Sequence, residues 1–147
     1  QEYDRHHRAD EGQVTRHVAV VHRKYAELIL SGQKKAELRL TKNRIVPFGI
    51  IKRGDTVFIK IASGPVCGRA KVRLVEQHEN LTPADIRRLR AALNDTVMGD
   101  GAFWNLKRTA RYATVVHLSD VKKCDEAPGL AEARAGNPRA AWLVLGD

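Results

Sequence analysis

Lys34, Glu37 and Arg39 stand at a spacing that lets three different charged groups meet. On an extended chain side chains alternate between two faces, so Glu37 and Arg39 share one, and Ala36, Leu38 and Leu40 take the other. Lys34 lies where a turn gives way to that strand. An ammonium, a carboxylate and a forked guanidinium in one place suit the gripping of a nucleotide or another anion with polar edges. A lysine also loses basicity readily when buried, and a neighbouring carboxylate relays protons. Lys34 with Glu37 is therefore the candidate catalytic pair if the chain is an enzyme. The bland reading is an internal ion pair of Glu37 with Lys34 or Arg39 that only shapes the fold.

The flanking elements must hold these groups in place. Arg23 to Ser31 has the pattern of a helix of about two turns, with Leu28 and Ile29 toward a core and Gly32 as its C-cap. Before it, His17 to His22 is a β-branched run, a first strand buried on both faces, with the two histidines as hydrogen-bonded structural residues. After the motif, Thr41 to Gly49 is a loop carrying Lys42 and Arg44 beside the site. Thr56 to Ile61 is the next strand and contains Lys60. Ala62-Ser63-Gly64-Pro65 breaks it, and Ser63 is placed to line the same mouth. Val66 to Val75 alternates: Val66, Gly68, Ala70, Val72 and Leu74 inward, Arg69, Lys71 and Arg73 outward, with Gly68 at a bend or bulge.

Further on, Leu81-Thr82-Pro83-Ala84-Asp85-Ile86 is a helix start. Thr82 is the N-cap, Pro83 is at N1, Asp85 completes a capping box, and Leu81 and Ile86 form a staple. Ile86, Leu89 and Leu93 are its buried stripe, and Arg87, Arg88 and Arg90 its outer face. Asn94 to Gly101 reads as a loop. Ala102 to Arg108 reads as a short helix with Phe103, Leu106 and Ala110 toward the core. Tyr112 to Leu118 is a strand, the polar stretch from Lys122 a long surface loop, and Trp142 to Leu145 a last strand. About six short strands with short helices and no strand–helix–strand rhythm make the chain an α+β or all-β barrel. Residues 1–16 lack apolar periodicity and are expected to be a flexible N-terminal tail, its His6-His7 pair included; residues 17–147 form one domain.

The charge is unevenly placed. The chain carries +9, yet residues 22–73 hold 13 basic and 3 acidic side chains, while residues 74–147 hold 10 of each. The whole excess surrounds the motif, as a polyanion partner requires. Tyr25, Trp104 and Tyr112 are the candidate stacking platforms for splayed bases, with core packing as the alternative for Trp104 and Tyr112. No Cys/His set has zinc-ligand spacing, and no phosphate-cradling glycine loop is present. Neither metal nor cofactor is indicated. Two cysteines make no disulfide framework, and no apolar run spans a bilayer. A cytoplasmic protein without membrane contact follows as the expectation.

Gly32-x-Lys34-x-x-Glu37-x-Arg39 resembles the GxKxxExR signature of the ASCH domain, and the resemblance extends loosely from about His17 to the end. It implies a PUA-like β-barrel of five to six strands flanked by short helices, an α+β fold, and an association with RNA. It offers a second function class as well, because some ASCH-like proteins act as ribonucleases or as amidohydrolases of acylated cytidine. The amidohydrolase type carries a threonine where Glu37 stands, so its hydroxyl is missing here. The combined expectation is a module that binds RNA, or single-stranded nucleic acid, in a basic cleft. Its contacts would be Tyr25, Lys34, Glu37, Arg39, Lys42, Arg44, Lys60, Ser63, Arg69, Lys71, Arg73, Trp104 and Tyr112. A hydrolase acting on RNA or modified nucleosides and a regulatory domain meeting an acidic protein partner are the alternatives. Lys34→Ala or Arg39→Ala is expected to weaken RNA binding while the fold survives.

Overall fold

A computed structural model of the chain describes residues 13–146. Most of the expected N-terminal tail, with its histidine pair, lies outside the described residues. The elements run β1 (Arg16–Val21), α1 (Arg23–Leu30), β2 (Ala36–Thr41), β3 (Thr56–Ile61), β4 (Val66–His78), α2 (Pro83–Val97), α3 (Gly101–Leu106), β5 (Tyr112–Lys123), α4 (Leu130–Gly136) and β6 (Trp142–Leu145). The strands form one six-stranded sheet in the order β2-β5-β4-β3-β1-β6. Only β1 and β3 pair in parallel. Although β2 and β6 are the two ends of that order, Arg39 on β2 donates to the carbonyls of Val20 on β1 and Ala141 just before β6. The sheet is therefore curled into a half-barrel whose edges face each other. This is the expected α+β, PUA-like barrel with flanking helices.

Curling divides the apolar side chains into three groups. The concave face carries Ala19, Val57, Ile59, Ala70, Val72, Val116 and Leu118, and Ala26 and Ile29 of α1 pack with them. On the convex side Leu38, Leu40 and Val115 are covered by Ile86 and Val97 of α2 and Trp104 of α3. Val18, Phe58, Leu143 and Leu145 are covered by Leu130 and Ala133 of α4. β1 is thus buried on both faces, as its β-branched run predicts.

Several local expectations hold to the residue. Thr82 accepts from the Asp85 backbone, and the Asp85 carboxylate accepts from the Thr82 backbone, so the capping box is complete and α2 starts at Pro83. Others are corrected. α2 continues through Val97 and stops at Met98 in the left-handed conformation, leaving almost no loop. β5 runs on to Lys123, and the long polar stretch contains α4. In β4 the inward alternation holds only from Gly68 to Val72. Val66 packs with Phe58 under α4 while Cys67 meets the concave core, after a register shift against β3. At the other end Leu74 is 45% exposed, while Val75 packs on the concave core. The pairing with β5 shifts between Val72 and Leu74, and one inserted residue sends every later side chain to the opposite face. Around α3, Phe103 and Ala110 pack on the core as expected and Trp104 takes its core-packing alternative, but Leu106 is 73% exposed, against expectation. A helix of six residues is too short for its apolar spacing to fix which face turns inward.

Candidate nucleic-acid interface at the mouth of the half-barrel

The motif begins with a backbone requirement. Ser31 caps α1, and Gly32 follows at φ +82° with open space where a Cβ would stand. Conformation, rather than room, calls for glycine there. The chain reverses and enters β2, where Leu38 and Leu40 join the convex core. Glu37 pairs across to Val116, a concave residue, so Glu37 and Arg39 point into the half-barrel. The three charged groups meet. Glu37 Oε2 is 2.6 Å from Arg39 Nη2, and its Oε1 is 3.3 Å from Lys34 Nζ. Lys34 Nζ also donates to the carbonyl of Val97, the last residue of α2. An ammonium there meets the negative end of the helix dipole. Arg39 reaches across to Val20 and Ala141 and lies 5.2 Å from the centre of the Trp142 ring. Each motif residue therefore has a structural task.

Burial decides how much chemistry is left over. The Lys34 side chain is 2% exposed. Burial pulls its pKa below the ordinary lysine value even though Glu37 pushes the other way. Burial alone would raise Glu37, but the charges of Arg39 and Lys34 outweigh it and hold the carboxyl below the usual range. A lysine of lowered basicity is what acid–base chemistry needs, yet this one is sealed between Val97, Glu37 and the ring of Tyr25, 5.3 Å away. The Arg39 side chain keeps 15% of its surface exposed, and its charge acts on a residue the motif does not contain, Lys107. Burial lowers the Lys107 pKa, and the nearby Arg39 charge lowers it further. Among the described residues Lys107 has no acidic partner, and Arg39 Nε is buried without a hydrogen bond. Lys34 and Arg39 thus share one carboxylate, and Lys107 stands within reach of the Arg39 charge without a contact to Glu37. Trp142 backs Arg39, held by its indole N–H, which donates to His17 Nδ1 at 3.0 Å.

The ASCH-domain family model matches residues 20–135. The chain belongs to the ASCH-domain family. The crystal structure of ASCH from Zymomonas mobilis aligns with a TM-score of 0.67 at 19% identity, covering 90% of this chain and 88% of that one. A tyrosine-to-phenylalanine mutant of the same protein gives 0.67 at 19%, covering 90% and 91%. At such identity the likeness is one of fold. No curated protein sequence matches closely enough to add to this.

Within this ASCH domain the other expected contacts are dispersed. Ala70 and Val72 face the concave core, so Arg69, Lys71 and Arg73 stand on the opposite side of the sheet from Glu37 and Arg39. Arg69 and Lys71 line a small cavity of about 150 Å³ with Lys122 and Asp120. Arg69 and Lys122 are directly opposed like charges. Lys60 is turned to the β3–β4 turn, where its ammonium donates to the carbonyls of Ile61 and Gly64, and Ser63 sits exposed in that turn. Lys42 is exposed in the loop after β2; Arg44 lies over Phe48 and is 3.4 Å from the Glu79 carboxylate. Tyr25 is half-buried under Lys24 and Lys34, and Tyr112 packs edge-on against Phe48. Trp104 is 3% exposed and its N–H donates to Asn94, so it offers no open ring face for stacking. Sequence reasoning missed Lys107 and Trp142 as members of the mouth. The spacing of Lys107 to Trp104 was visible, but only the curl of the sheet brings Arg39 to both.

Proposed function

We propose that this ASCH domain binds RNA, receiving a phosphate of the strand at the mouth formed by Arg39, Lys107 and Trp142. The observation that carries the reading is the charge imbalance there: Lys34 and Arg39 share the one carboxylate of Glu37, and Lys107, within reach of the Arg39 charge, has no acidic partner among the described residues. A guanidinium near an ammonium that has no acidic partner suits a phosphate oxygen. The family's association with RNA and the basic excess of residues 22–73 support the same ligand. Hydrolysis is not favoured, because Lys34 is sealed from solvent. A cytoplasmic location, where RNA is present and thiols stay reduced, fits the two free cysteines.

Arg39 and Lys34 are poor probes, since both hold the fold together. Lys107 is the better one. Anisotropy titration of a labelled single-stranded RNA is expected to give a Kd about tenfold weaker for Lys107→Ala at low salt, the scale of one charge-assisted contact. The salt slope should fall by about 0.7, Lys107→Arg should restore binding, and the melting temperature should stay put. Wild-type protein that ignores RNA at low salt, or a Lys107→Ala variant that binds as wild type does, overturns the reading.

A further inference from the structure

A cavity of about 410 Å³ opens between α2 and α3. Ile86 and Trp104, both buried members of the convex core, form its floor. Arg87 and Arg90 from α2 and Arg108 from the turn after α3 form its rim. Arg87 and Arg90 are three residues apart and so stand on one helix face. None of the three arginines has an acidic partner among the described residues. Arg88, on a different face, is paired with Asp85, and Arg108 donates only to the carbonyl of Asn105, at 2.7 Å. The floor is rigid: the Trp104 indole is fixed by Asn94 at 3.0 Å and lies edge-to-face with Phe103.

A groove ringed by guanidinium groups without acidic partners calls for a ligand that carries negative charge at several points close together. A nucleic-acid strand, with a phosphate at every residue, has that property. Arg108, which lines the groove, is the chain neighbour of Lys107, on which the Arg39 charge acts. We propose that the α2–α3 groove is a second subsite for the RNA strand, in which successive phosphates meet Arg87, Arg90 and Arg108. The inference rests on the RNA-binding reading and extends the strand's path across the Lys107–Arg108 turn.

The test uses the double variant Arg87→Gln/Arg90→Gln, whose side chains are exposed and whose replacements are good helix formers. Its control is Arg53→Gln/Arg139→Gln, which removes two exposed cations outside the groove. Binding of a labelled single-stranded RNA ten nucleotides long is followed by anisotropy over a salt series. The groove variant is expected to bind about tenfold more weakly, with a salt slope lower by about 1.4, two phosphates' worth for a single strand. The control should keep wild-type affinity, and all variants should melt as wild type does. If Lys107→Ala weakens binding but the groove variant matches wild type in affinity and slope, the subsite is wrong and the RNA reading stands. If the control loses as much as the groove variant, the effect is bulk charge and the subsite is wrong. Should wild-type protein bind poly-glutamate but no RNA, both proposals fall together.

Discussion

His17 has both ring nitrogens committed, and that makes its protonation state a property of the fold. The Trp142 indole is a donor only, so Nδ1 must accept from it. Nε2 then carries the hydrogen and donates to Asp55 Oδ2 at 2.9 Å. The neutral ring is the one that fits, and a second proton on Nδ1 would break the tie to Trp142. Burial accordingly holds the His17 pKa below its ordinary value, against the pull of Asp55 and with help from Lys52. The unfolded chain, titrating near pH 6.5, takes up the proton first. Stability is therefore kept above that pH and lost as the pH falls below it. Urea unfolding between pH 7.5 and 5.5 should show a decline that His17→Gln flattens, whatever that variant costs overall. Equal slopes for the two proteins would show that the decline comes from elsewhere. The consequence for the site is direct, since Trp142 is the ring on which Arg39 lies.

At the scale of elements, packing is closest where α1 crosses β4. A Cβ on Gly68 would come within 2.6 Å of Leu30 Cδ2 and 3.0 Å of the Lys122 carbonyl. The leucine tip can swing away, but the carbonyl belongs to β5 and cannot. Gly68→Ala is thus expected to cost about 1–3 kcal/mol, the usual range for overpacking, measured by denaturant unfolding; a neutral result would mean that β5 yields there. Both partners of this crossing were legible in the sequence to different degrees. The alternation from Gly68 to Val72 and the glycine that starts it announced a strand that bends, because period-2 burial and a missing side chain are local signals. The capping box at Thr82 and Asp85 announced the start of α2 for the same reason. The faces beyond Val72 were not legible, since a bulge is a fact about register with β5 and leaves no mark on β4's composition. Nor was α4, whose seven residues carry one weak apolar stripe and no side-chain cap. The convergence of Lys34, Glu37 and Arg39 followed from spacing alone. Their burial, and the arrival of Lys107, depended on contacts made by residues up to about a hundred positions away, such as Ala141 on Arg39.

For the molecule as a whole, the question is what keeps a curled sheet from opening. Backbone pairing joins every neighbour in the order from β2 to β6, but β2 does not pair with β1 or β6. Across that gap the fork of Arg39 donates to Val20 at 3.0 Å and to Ala141 at 3.2 Å, and Glu37 steadies it from behind. The motif's arginine is therefore the clasp of the half-barrel as well as part of its mouth, and binding a phosphate there would tighten both. Lysine at this position keeps the charge but has no fork, so it can serve at most one of the two carbonyls well. Losing one charge-assisted hydrogen bond costs about 1.5–3 kcal/mol, and the cost should fall on local opening of the seam. In Arg39→Lys, hydrogen exchange at Val20, whose amide donates to Ala141, and along β6 should accelerate about tenfold or more. Amides between β4 and β5 should hold their wild-type rates. Acceleration spread evenly over all six strands would instead mean that Arg39 supports global stability and that the edges are closed by something else.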